Sequence, residues 1–210
     1  MYPFFLERRN TNVYRLTLEC WWSEGGNLNL VSDVPILQTP RLWLRPWRQE
    51  DRVPFAEMNF DSAVMKHFPS LLTTEESNSS VDRFIESWQR GYGLWVVERR
   101  DSGSFVGFVG FSQPGWSAHF TPCIEIGWRL SSLSWGNGFA TEGAVVALSW
   151  ARENIVFPRN EVVSFTTTAN TRSRRVMEKL GLVHDESGDF DHPLLPDWPD
   201  RRHVLYRMKI

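Results

Sequence analysis

The segment that most restricts how this chain can fold is Trp135-Gly136-Asn137-Gly138-Phe139-Ala140-Thr141-Glu142. A strand-like run, Cys123 to Leu130, precedes it, and a helix-like run, Phe139 to Asn154, follows it. The chain must therefore turn from strand to helix through glycine. The first N–H groups of a helix have no partner inside it and lie at the positive end of its dipole. Glycine carries no Cβ, so an anion can approach such a backbone closely. A phosphate of a nucleotide-like cofactor is the expected guest. A plain turn would use glycine as well, so the glycines alone leave both readings open. The segment lacks the Lys-Ser/Thr ending of a P-loop, and no Gly-x-Gly-x-x-Gly opens a dinucleotide-binding unit.

Three further stretches supply a context. Cys123-Ile124-Glu125-Ile126-Gly127-Trp128-Arg129-Leu130 comes before the loop. Thr166-Thr167-Thr168-Ala169-Asn170-Thr171-Arg172-Ser173 follows the helix, and Val176-Met177-Glu178-Lys179-Leu180-Gly181-Leu182 comes next. In this order they resemble the GNAT superfamily of acyl-CoA-dependent N-acetyltransferases. The nearest likeness is to the branch that holds the ribosomal-protein N-terminal (alanine/serine) acetyltransferases. The resemblance spans Pro35 to Ile210. It implies an α/β fold: a single-domain, mixed, mostly antiparallel sheet with splayed central parallel strands, flanked by helices. It implies acetyl-CoA as cosubstrate, held in that split. Residues 35–210 would form the acetyltransferase domain and residues 1–34 an N-terminal extension. In the extension Cys20-Trp21-Trp22 is aromatic, Gly25-Gly26 breaks the run, and Asn27 to Asp33 is polar. An edge strand, a packing arm and a poorly ordered leader all remain open there.

Composition narrows the class. With 210 residues, 41% of them hydrophobic, the chain is long enough to bury a full core. A net charge of −2 lacks the basic bias of a nucleic-acid binder, so none is expected as a partner. Cys20 and Cys123 make no disulfide framework and, like the five histidines, show no metal-ligand spacing, so no metal is expected. Met1 to Leu6 is too short and too soon followed by Glu7, Arg8 and Arg9 for a secretory signal, and no apolar run approaches a membrane span. A reducing, cytoplasmic setting, no membrane contact, and a monomer or homodimer are the expectations.

Periodicity sketches the elements. Arg41 to Arg45 reads as a strand and Gln49 to Asn59 as a helix. In Glu75 to Arg90 the residues Val81, Phe84, Ile85 and Trp88 recur at helical spacing, and Gly91 ends the helix. Leu94 to Arg99 and Phe105 to Phe111 are strands joined by Asp101-Ser102-Gly103-Ser104. After the central helix come a strand, Glu161 to Thr168, and a helix, Thr171 to Leu180, closed by Gly181. Two last strands, Leu182 to Phe190 and His203 to Lys209, flank a loop rich in Pro and Asp. Strands mixed with helices argue for a mixed α/β sheet.

The family's pyrophosphate loop usually reads Gln/Arg-x-x-Gly-x-Gly/Ala. Here Gly138 and Ala140 fill the small positions, and Trp135 stands where Gln or Arg is frequent. The N–H groups of Gly136, Asn137, Gly138, Phe139, Ala140 and Thr141 would then face a pyrophosphate. The backbone from Trp128 to Leu130, in the strand before the loop, would polarise the thioester carbonyl.

An alkyl amine is mostly protonated near neutral pH and cannot attack a thioester until a proton leaves. A carboxylate within hydrogen-bond reach can take it. Alternation puts Glu125, Gly127 and Arg129 on one strand face and Ile124, Ile126, Trp128 and Leu130 on the other. Glu125 reads as an exposed residue, as an ion-pair partner of Arg129, or, through the family's Glu-Ile-Gly motif, as the base. Many relatives protonate the leaving thiolate with a tyrosine where this chain has Met177; the ribosomal-protein branch offers a serine instead, which is Ser173 here. Asn170 reads as a helix N-cap, and the resemblance implies that it also contacts the pantetheine.

Arg172, Arg174 and Arg175 form a basic cluster near the expected cofactor, read as a solvated helix face or as a contact for the adenosine 3′-phosphate. Trp43, Trp47 and Trp116 stand as candidate cleft lining. The acidic C-terminal loop, with Asp189, Asp191, Asp197 and Asp200, reads as solvated or as help in binding an amine. The activity implied is acetyl transfer by direct amine attack in a ternary complex, on a peptide N-terminus or a small amine. A catalytically silent acyl-CoA sensor is the alternative.

Overall fold

The computed structural model describes residues 34–210, together with the backbone of Leu6–Arg8 and Val13–Leu16. The aromatic and polar stretches from Cys20 to Asp33 lie outside the described residues. Among the described residues one 11-stranded sheet forms the centre of the molecule. Its strands are β1 (Leu6–Arg8), β2 (Val13–Leu16), β3 (Ile36–Gln38), β4 (Leu42–Arg45), β5 (Leu94–Arg99), β6 (Phe105–Ser112), β7 (Glu125–Leu130), β8 (Glu161–Thr167), β9 (Val183–His184), β10 (Phe190–Asp191) and β11 (Arg202–Lys209). The order is β1-β2-β3-β4-β5-β6-β7-β8-β11-β10, with β9 paired to β11. Every described pairing is antiparallel except that of β7 with β8.

Four α-helices cover the two faces: α1 (Arg52–Phe60), α2 (Thr74–Ser87), α3 (Phe139–Asn154) and α4 (Thr171–Lys179). In α3 the small residues Gly143, Ala147 and Ala151 recur every fourth position and are buried, so one smooth stripe lies on the sheet. It packs with Ile124, Ile126 and Leu130 of the β7 region and with Trp95, Val97 and Val109. Helices α1 and α2 take the opposite face, where Phe55, Met58 and Val81 meet Leu94, Val96 and Phe108. Arginine is buried at this end too: Arg45 holds Asp51 through Nη1 and Nη2, both at 2.7 Å, and Glu98 through Nε at 2.6 Å.

The expected elements are present, with two local differences. Gln49–Asp51 forms a 3₁₀ turn ahead of α1, because the Asp51 carboxylate accepts the Arg48 N–H at 2.7 Å and tightens that turn. The strand expected from Leu182 to Phe190 is broken at Glu186–Gly188, where the Asp185 side chain accepts the Gly188 N–H at 3.1 Å. Helix α2 begins with a capping box of Thr73 and Glu76, and Gly91 (φ 86°) closes the turn after it. No helix among the described residues is long and apolar enough to cross a membrane.

Candidate active site

The site starts where the parallel ladder stops. β7 and β8 share one registered pair, Glu125 with Val163. The Val163 N–H donates to the Ile124 carbonyl at 3.0 Å, so the backbone of even-numbered β7 residues faces β8. The Ser131 N–H donates to the Val106 carbonyl at 2.9 Å, so the odd-numbered ones face β6. Alternation carries this on: beyond Ile126 the backbone groups of Trp128 and Leu130 point into the opening between the two strands. The Leu130 carbonyl there accepts the Trp135 indole N–H at 2.9 Å. At the far end of β7 the sheet is drawn tight: a Cβ on Gly107 of β6 would lie 2.1 Å from the Arg129 carbonyl oxygen, so glycine is required for this approach.

The glycine loop closes the mouth of the opening. Gly136 and Gly138 both hold φ 78°, a left-handed conformation that lets the chain double back into α3. Gly138 is the N-cap and has no side chain to offer the helix. None of the N–H groups from Gly136 to Thr141 donates to a protein acceptor among the described residues, and the first helical bond is Glu142 N–H to the Gly138 carbonyl at 3.0 Å. Asn137 turns its amide inward to the Ser134 and Trp135 carbonyls at 3.2 and 3.1 Å, which stiffens the loop. Glu142, a negative charge in the first turn, is neutralised from outside. Its carboxylate takes the Thr39 hydroxyl at 2.6 Å and Arg41 Nε at 2.7 Å. The helix end thus keeps a set of unclaimed donors with its one nearby acid compensated.

From the other side α4 supplies a cation. The Arg172 guanidinium stands 4.3 Å from the centre of the Trp135 ring. Trp135 therefore does more than fill a family position: it ties the loop to Leu130 and carries an arginine. The remaining arginines of that cluster part company with the site. Arg174 turns to the Tyr206 hydroxyl and the Thr168 carbonyl, both at 3.3 Å, and Arg175 is exposed. Asn170 caps α4, its Oδ1 accepting the Ser173 N–H at 3.2 Å and its amide donating to Thr166 Oγ1 at 3.0 Å. The Ser173 hydroxyl has no partner among the described residues. Met177 is 1% exposed and belongs to the core beside α3.

Glu125 lies on the opposite strand face, together with Gly127 and Arg129, and its Oε1 sits 3.8 Å from where a Gly127 Cβ would be. It is half-buried in the surrounding structure. That enclosure pushes its pKa up to about 8, against a single weak counterpart, the Ser112 hydroxyl at 3.3 Å. No ion pair joins it to Arg129 among the described residues. Arg129 donates instead from Nη1 to Asn59 Oδ1 at 2.7 Å, and its guanidinium lies 4.0 Å from the Phe68 ring centre.

One further group, His67, reaches this face without having been singled out in the sequence. His67, between α1 and α2, lies 3.4 Å from Thr167 Oγ1 at the end of β8. Burial holds it below the usual histidine range, with Lys66 adding to the effect. No local pattern marks His67, because the contact joins residues far apart in the chain. Of the three candidate cleft tryptophans, Trp116 meets Phe165 of β8 at 5.6 Å and His192 at 5.0 Å. Trp47 is instead a core residue, 8% exposed, with its indole N–H on the Leu94 carbonyl at 2.9 Å. Trp43 stacks with Arg100 near the β5–β6 turn. In the C-terminal loop Asp191 is held by Arg201 at 3.0 Å and Asp189 by His184 at 2.9 Å, so those acids are spent internally.

Comparison with known proteins identifies a family and a fold. The family model described as an acetyltransferase (GNAT) domain matches residues 41–183. The FsC-acetyl coenzyme A-N(2)-transacetylase of Aspergillus fumigatus is 31% identical, over 73% of this chain and 67% of its own length. The uncharacterised N-acetyltransferase YoaA of Bacillus subtilis is 29% identical, over 70% of this chain and 82% of its own. Among solved structures, the ribosomal-protein-S5-alanine acetyltransferase of Vibrio fischeri superposes with a TM-score of 0.61 at 17% identity, covering 84% of this chain and 97% of that one.

Proposed function

This chain belongs to the GNAT acetyltransferase family, an acetyl-CoA-dependent N-acetyltransferase, and we propose that it moves the acetyl group by direct amine attack in a ternary complex with Glu125 as the base. The observation that carries this reading is the place of Glu125: at the point where β7 and β8 part, half-buried, with no cation among the described residues to hold its charge. A carboxyl poised near pH 8 is better matched to an amine than an ordinary glutamate, because proton transfer is most effective between groups of similar pKa.

The cosubstrate's place follows from unclaimed donors. The N–H groups from Gly136 to Thr141 and the Arg172 guanidinium would hold its phosphates. Asn170 would meet its pantetheine arm. The Trp128 and Leu130 N–H groups, turned into the opening, would hold the acyl oxygen. Bound there, acetyl-CoA supplies the thioester carbon and a thiolate leaving group. Glu125 takes the amine proton, directly or through one water, and the Ser173 hydroxyl, without a partner among the described residues, donates to the departing sulfur. The acceptor is a primary amine of a peptide N-terminus or a small molecule.

Thiol release from acetyl-CoA across a panel of peptides and small amines tests the reading. We expect amine-dependent release. Tight acetyl-CoA binding with no release for any amine would contradict it.

A further inference from the structure

Arg129 has no counter-ion among the described residues. Its Nη1 donates to a neutral amide oxygen, Asn59 Oδ1, at 2.7 Å. Its Nε is buried without any partner, and Nη2 is bonded to nothing among the described residues. Phe68 and Phe108 flank it at 4.0 and 5.7 Å from their ring centres. A buried charge is costly unless it is paired. Arg45, buried as a whole residue, is by contrast paired fully, with two carboxylates. Asn59, 0% exposed and anchored to Ser77 at 3.0 Å, holds the guanidinium in place without neutralising it.

Arg129 shares a strand face with Glu125, across from the α3 side on which the phosphate loop opens its helix. Four residues of strand separate the two Cα atoms by roughly 13 Å at about 3.3 Å each. We propose that Arg129 is a specificity residue of the acceptor site and takes an anionic group, a carboxylate above all, that the accepting amine carries several atoms away from its nitrogen. This rests on the reading of Glu125 as the base. The span disfavours an α-amino acid, whose amine and carboxylate share one carbon. It fits an ω-amino acid or a peptide N-terminus with an acidic side chain close behind it. Burial lowers the pKa of Arg129 to about 10, which still leaves it charged at neutral pH.

The test is a series of ω-amino acids of increasing length, each beside the alkylamine of equal length, and acidic against neutral N-terminal peptides. Thiol release gives kcat/KM for the wild type and for Arg129→Gln, which retains a donor for Asn59. The anionic member of each pair should be favoured, most strongly at intermediate length. The ratio should fall by roughly 10- to 100-fold in Arg129→Gln, the worth of a charged hydrogen bond. A wild-type ratio near one at every length would overturn the proposal, whether or not the variant folds. So would an equal ratio in both proteins, or a loss confined to the KM of acetyl-CoA, which would give Arg129 to a phosphate. Calorimetry with the acetylated products in the presence of CoA reads the same preference without turnover. A preference there in an inactive protein would remove the base assignment while keeping Arg129.

Discussion

Glu125 stands in register with Val163, and with that pair the parallel ladder between β7 and β8 ends. A carboxylate is thereby placed at the apex of an opening lined by backbone donors, rather than out on a solvated strand. The acid, the opened strand edge and the glycine loop follow one another along β7 and the turn after it, so their spacing is set by strand geometry.

The loop should bind acetyl-CoA through its backbone. Gly138→Asp and Gly138→Asn both place a side chain at φ 78°, a conformation that these two residues tolerate better than most. They differ in charge. Calorimetry should show acetyl-CoA binding abolished in the Asp variant and partly kept in the Asn variant. Equal affinities in the two would show that negative charge is not excluded from the loop.

Stability should report Glu125 with an unusual sign. Its folded pKa of about 8 lies above the ordinary 4.5. Across that window the folded state keeps a proton that the unfolded chain has released, so this group's contribution falls as pH rises. Glu125→Gln removes the effect. Urea unfolding at pH 5 and pH 9 should show the Gln variant gaining on the wild type at the higher pH. A difference that is independent of pH would place Glu125 in solvent-like surroundings.

Arg45 tests the contrast on which the reading of Arg129 depends. Arg45→Met strands Asp51, 3% exposed, and Glu98 without their cation. The expected cost is about 3–5 kcal/mol in urea unfolding, the range for breaking a buried pair. A loss below about 1 kcal/mol would mean that the pair behaves as a surface one.

Ser173→Ala should slow transfer only moderately, by about ten-fold at most, because a thiolate is a fair leaving group unaided. The Asn170 cap to the Ser173 N–H survives that change, so the thermal midpoint should hold. A loss of several orders of magnitude would make protonation of the sulfur obligatory.

Much of this was legible in the chain. The glycine pair and the small stripe of α3 fix a strand–turn–helix unit, and alternation alone separates Glu125, Gly127 and Arg129 from the core-facing Ile126 and Leu130. What local pattern does not carry is pairing across the fold. Arg129 shares a face with Glu125 yet binds Asn59, a contact 70 residues away in sequence. The Arg172–Trp135 stack and the His67–Thr167 bridge are of the same kind. The upward shift of Glu125 has a similar origin, since burial is a property of the assembled cleft and leaves no mark on the Glu-Ile-Gly triplet.

The pH–rate profile of wild type and Glu125→Gln tests the central claim most directly. Wild-type turnover should rise with pH and level near pH 8, where Glu125 loses its proton. The Gln variant should be slower by roughly two to four orders of magnitude, without that bend, while acetyl-CoA affinity stays near normal. Wild-type turnover and the same bend in the variant would contradict the account and leave Glu125 a structural residue of β7.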